Sequence, residues 1–139
     1  MNAYSILSNN PKVKEKYPEA KFFDSPASEV LTAARDAVHK GAKLLTHPLS
    51  GSLVPSMNPY KSLIVTESSN QLDFSSSRLI EDAIIVNKKN GRLKYRAYNE
   101  KLLDDFQTLD LDFMVSALPS LKNMVESIQD DAEKGGIKT

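Results

Sequence analysis

The sequence predicts an α/β domain of three layers: a short, mainly parallel four-stranded sheet with helices on both faces and a helical C-terminal segment. Three observations predict it. Short apolar runs at 3–8, 20–23, 43–47 and 61–66 have strand length, and helical patterns lie between the first three. From Asn99 onward one long apolar stripe at helical spacing carries the remaining hydrophobic residues. The chain has 139 residues with 40% hydrophobic and 26% charged content, which suits one globular domain and excludes wholesale disorder.

The first strand is AYSILS, where Tyr4, Ile6 and Leu7 supply β-compatible bulk. Asn9-Asn10-Pro11 stops it, and proline suits the first turn of a helix, so a short helix runs from Pro11 to Tyr17 and ends at Pro18. AKFF (20–23) is a brief second strand. The next helix opens with Ser25 as N-cap ahead of Pro26, and Val30, Leu31, Ala34, Ala37 and Val38 share one face. His39 and Lys40 suit the negative end of its dipole, and Gly41 follows as a residue able to take positive φ. KLLTH (43–47) reads as a buried third strand.

Residues 47–60, HPLSGSLVPSMNPY, form a long loop with three prolines and one glycine; loops of that length are uncommon unless they serve a function or are disordered. KSLIVT (61–66) is the fourth strand. Residues 76–89 fit a helix through Leu79, Ile80, Ala83 and Ile84, and less readily one arm of a hairpin turning at Asn90-Gly91. From Asn99 the stripe is Leu102, Leu103, Phe106, Leu109, Phe113, Met114, Ala117 and Leu118. Pro119 breaks or kinks it, and Leu121, Met124, Val125 and Ile128 continue it in a further helix. Residues 1–129 are expected to form the domain and 130–139 a flexible tail.

The expected strand order is 2-1-3-4, with right-handed crossovers. Strands 1 and 3 then flank a switch point whose crevice faces the loops after each of them. The candidate ligand residues are Asn9, Asn10, Thr46, His47, Ser50, Gly51, Ser52 and Lys61. Short amide and hydroxyl groups there suit a small polar or anionic ligand, and Lys61 would add a cation at the rim.

Each candidate has a plainer reading. His47 can titrate near neutral pH, or its ring can simply bond the loop backbone. Ser50-Gly51-Ser52 permits close backbone approach to an anion, but without GxxxxGK[ST], GxGxxG or GxSxG a plain turn is favoured. Lys61 equally suits a strand end guarded against aggregation. The basic run Lys88, Lys89, Arg92, Lys94 and Arg96 reads best as a solvated face, and Asp110 and Asp112, two apart on a helix, point to different sides.

Composition narrows the chemistry. With no cysteine there is no disulfide, thiol nucleophile or thiolate metal site. Two histidines leave imidazole chemistry to His47, with His39 a helix-end residue, so no metal or cofactor is implied and no catalytic residue can be assigned. Eighteen basic and eighteen acidic residues argue against a dedicated nucleic-acid binder. No run approaches a membrane span and the N-terminus lacks a signal pattern, so a cytoplasmic protein is expected.

Three readings follow: a non-catalytic ligand-binding or accessory protein, a small enzyme with His47 as general acid/base helped by Ser50 or Lys61, and a homodimeric module associating through its C-terminal helices.

The stretches NNPKVKEKY, VHKGAKLLTHPLSGSLVPSMNPYKSLIV and, more loosely, LIEDAI and LLDDFQTLDLDFM resemble the GrdX-type proteins encoded beside glycine, sarcosine and betaine reductase genes. The resemblance spans about residues 5–118, and LLTHPLSGS followed by NPYKS is its most specific part. It implies an accessory protein of reductive amino-acid fermentation, with reductase components as expected partners. It assigns no catalytic residue.

Overall fold

The computed structural model describes residues 4–47, 58–90 and 98–137. Its elements in order are β1 (Tyr4–Ser8), α1 (Pro11–Lys16), β2 (Lys21–Phe22), α2 (Ala27–His39), β3 (Ser62–Thr66), α3 (Phe74–Asn90) and α4 (Glu100–Ile137). The three strands pair in the order β2-β1-β3.

The three layers are present, but the four-stranded order is corrected. β1 pairs parallel with β2 and antiparallel with β3, with Tyr4 opposite Thr66 and Ser8 opposite Ser62. The expected third strand, 43–47, is reduced to one bridge between Leu44 and Val65 on the far side of β3. It is held there by Leu45 N–H to Ile64 O (2.8 Å) and Thr66 N–H to Lys43 O (2.8 Å). The physical reason lies in the connection. Neighbouring parallel strands need a crossover, usually a helix, whereas antiparallel neighbours need only a loop. No helical pattern separates Thr46 from Ser62, so the chain returns antiparallel.

Alternation along the strands builds two cores. Leu7, Leu63, Val65 and Leu44 pack with Val30, Leu31 and Ala34 of α2 and with Ile80 and Ala83 of α3. Ile6 and Ile64 face the other way and pack with Val13 of α1, Ala20, and Met114, Leu118 and Leu121 of α4. The sheet is therefore covered on both faces, as its apolar strands require.

The helix ends follow local chemistry. Asn10 caps α1, accepting from Lys12 N–H at 3.0 Å, with Pro11 at the first position. α2 is capped by Pro26 rather than Ser25, with no side-chain cap bond. It stops at Gly41, whose φ of +96° is open to glycine; a Cβ there would lie 1.9 Å from Ser69 O. Residues 76–89 lie inside α3, which settles them as helix. Asp73 caps that helix by accepting from Ser76 N–H (3.0 Å) and from the Ser76 hydroxyl, which in turn accepts from Leu44 N–H (2.9 Å).

α4 runs unbroken through Pro119, where two helices were expected. Proline removes one ladder bond. The flanking Leu118 and Leu121 are both buried against the sheet, and that packing holds the helix together across the gap.

Candidate functional site

The carboxyl end of β1, the residues after Leu44 and the amino end of β3 meet at one edge of the sheet. Asn9, Asn10, Thr46 and Lys61 are buried there, and His47 is exposed. The reversal of β3 leaves this meeting intact, because its amino end, not its carboxyl end, carries Lys61. Ser50, Gly51 and Ser52 lie outside the described residues, as do Arg92, Lys94 and Arg96 of the basic run.

Asn9, Asn10 and Thr46 are committed to the fold by their side chains. Asn9 Nδ2 donates to Ser25 O and Pro59 O, both at 3.0 Å, and its Oδ1 accepts from Lys61 N–H at 2.7 Å. With the backbone bond from Asn9 N–H to Lys61 O (3.3 Å), it adds one rung to the β1–β3 ladder. Asn10 Nδ2 donates to Gln107 O (2.9 Å) and Asp110 Oδ2 (3.0 Å), while its Oδ1 caps α1. Thr46 Oγ1 accepts from Ile64 N–H at 3.1 Å, standing in for the ladder bond that the single bridge does not supply.

Residues that sequence reasoning passed over hold the centre. Asp110 of α4 is 5% exposed, and its Oδ2 accepts from Ser62 Oγ at 2.6 Å as well as from Asn10. Ser8 Oγ lies 2.7 Å from Ser62 Oγ and accepts from Asn10 N–H at 2.9 Å. The proton directions follow. Ser62 gives its proton to the carboxylate, so Ser8 must give its own to Ser62. Burial is the main influence on Asp110 and raises its pKa above the ordinary carboxylate value; bonds from Ser62 and Asn10 and the charge of Lys61 pull the other way.

A signal for Asp110 was present in the sequence. It falls between Phe106 and Phe113 at spacings of four and three, on the apolar stripe, where a carboxylate must find partners. Its partners come from about 50 and 100 residues away, at Ser62 and Asn10, and no local pattern names them. Asp112 is exposed on another face, as the spacing predicts.

The outer part of the same edge ties α4 to the returning loop. Asn58 Nδ2 donates to Phe106 O (3.2 Å), and Gln107 Nε2 donates to Tyr60 Oη (2.8 Å). Lys12 Nζ pairs with Asp104 (2.8 Å) and donates to Thr108 Oγ1 (2.9 Å). Among the described residues no buried side-chain nitrogen or oxygen lacks a hydrogen-bond partner, and no three His, Asp or Glu gather as a metal site would need. Among them, too, no helix is long and apolar enough to cross a membrane.

The fold and this edge define a three-layer α/β protein with a buried polar junction at the strand ends. Residues 5–119 match the family of GrdX-like proteins, which covers most of the chain, and the chain belongs to that family. Searches of curated proteins and of solved structures find no significant match to it.

Proposed function

We propose that this protein is a cytoplasmic accessory component of glycine, sarcosine or betaine reductase systems that binds a small polar or anionic ligand at the junction of β1 and β3. Family membership supports the accessory role. The observation that carries the ligand reading is Lys61. Its residue is 7% exposed, beside Asn9 and within the electrostatic reach of Asp110. Lysine is rarely so buried unless paired or used. Asn9, Asn10 and Thr46 shape the backbone of the site, since their polar atoms already serve the fold; Lys61 supplies its buried cation and His47 its exposed imidazole.

The test is a thermal-shift series with glycine, sarcosine, betaine and inorganic phosphate, on the native chain and on Lys61→Met. A ligand at one hundred times its Kd adds about 2.7 kcal/mol, which raises Tm by roughly 8 °C or more in a domain of this size. Loss of that shift in Lys61→Met supports the site. No shift with any of the four compounds removes the ligand reading.

Self-association through α4 is the second reading, favoured by Leu109 and Val115, which are 50% and 41% exposed on that helix. Light scattering decides it: a strict monomer at working concentration ends it.

A further inference from the structure

The two halves of α4 are fastened by different chemistry. Met114, Leu118 and Leu121 sit in the apolar cluster with Ile6, Val13, Ala20 and Ile64. Between Asp104 and Asp110 the described attachments are polar: Lys12 to Asp104 and Thr108, Asn58 to Phe106 O, Gln107 to Tyr60, Asn10 to Gln107 O and Asp110, and Ser62 to Asp110. Among the described residues neither apolar cluster includes Leu102, Leu103, Phe106 or Leu109. Phe106 instead meets Tyr98, its ring 5.3 Å away, just ahead of the helix.

These two kinds of attachment fail differently. Water replaces polar partners one for one, so each such bond nets only about 0.5–1.5 kcal/mol, and an exposed ion pair about 0–1 kcal/mol. Apolar contacts are lost only when the whole packed face separates. Segments with few buried apolar contacts open below the global unfolding free energy, in contiguous units. The polar bonds of α4 are also interlinked: Asn10 touches both Gln107 and Asp110, and the 58–62 segment reaches α4 at Phe106, Gln107 and Asp110. Interlinked bonds release together.

We infer that residues 98–110 form a clasp over the polar edge, one that unwinds as a single unit while 114–121 stay docked. Opening uncovers Asn10, Asn58 and Ser62, while Asn9 still holds Pro59 and Lys61 to the end of β1. The clasp is a feature of the fold itself and does not rest on the ligand reading.

Residue-resolved hydrogen exchange on the full chain at low urea tests it, using Lys12→Ala and Asn58→Ala. Lys12 and Asn58 attach to different turns of the clasp. The expected result is one shared opening for the amides of 104–110, with a common urea dependence shallower than that of 114–121. Each variant then speeds all of 104–110 by one common factor, about five-fold for a lost bond of roughly 1 kcal/mol, while 114–121, which also lose that bond on global unfolding, speed by no more than the same factor and keep their steeper urea dependence. Three results overturn the clasp: protection that climbs steadily from residue 101 to 121, as simple end-fraying gives; variants that each speed only their own turn; or a urea dependence for 104–110 as steep as that for 114–121.

Discussion

Replacing Asp110 separates the charge of its carboxyl from its shape. In Asp110→Ala the Ser62 hydroxyl and one Asn10 amide proton lose their acceptor in a buried site. Each stranded donor costs about 1–3 kcal/mol, offset in part because a buried carboxylate no longer has to be desolvated. The net loss is about 2–4 kcal/mol. In Asp110→Asn the amide oxygen accepts both bonds, the charge is gone, and the loss falls below about 1 kcal/mol.

The pH dependence sharpens the test. Burial, the dominant influence, raises the folded pKa of Asp110 above its unfolded value, near the ordinary 3.8. The folded state therefore binds this proton more tightly than the unfolded state does. Its contribution to stability is fully present below pH 3.8 and is lost as pH rises through the folded pKa, which is the opposite of a salt-bridged aspartate. Urea midpoints measured from pH 3 to 8 report it. Across the window that opens at 3.8 and rises to the folded pKa, the native chain loses more stability with rising pH than Asp110→Asn does. The reasoning is refuted if Asp110→Ala and Asp110→Asn are equally unstable, or if Asp110→Asn keeps the native pH slope.

Other perturbations probe the remaining joints. Asn10→Ala removes the α1 cap and two donors to α4, and chemical denaturation should show a loss of about 2–4 kcal/mol, well beyond the ~1 kcal/mol of an ordinary cap. Gly41→Ala places a methyl 1.9 Å from Ser69 O at positive φ, so Tm should fall by about 7–10 °C, from roughly 2–3 kcal/mol of strain and displacement. Asp73→Ala removes the α3 cap and should lose about 1 kcal/mol at pH 7. The Ser76 bond holds the Asp73 pKa below its ordinary value, so this increment is present above pH 3.8 and disappears as acid titrates the folded carboxyl; a difference between variant and native chain that persists to pH 2 would contradict that.

Much of the architecture was legible from local pattern. Helical spacing located α2 and the start of α4, Asn10-Pro11 marked α1, and Gly41 marked the end of α2, because caps and amphipathic faces depend on neighbours within one or two turns. The GrdX-like family was legible for a similar reason: its pattern lies in short runs of residues, LLTHPLSGS and NPYKS above all. The direction of β3 was not, though the missing helix between 47 and 61 pointed to it. Nor was the passage of α4 through Pro119, where burial against the sheet outweighs a broken ladder bond.

The polar edge divides the same way. Residue type and loop position mark Asn9, Asn10, Thr46 and Lys61 as polar groups at the strand ends, and they do gather at one edge. Their partners decide what they do there. Asn10 braces α4, Asn9 extends a ladder, and Thr46 replaces a missing backbone bond. The sequence by itself determined which segments are helix or strand and that polar groups end the strands. Only the tertiary structure decided the strand direction and the Asp110–Ser62–Ser8–Asn10 junction. Those bonds span up to 100 residues, and a buried polar group takes its role from the partner that satisfies it.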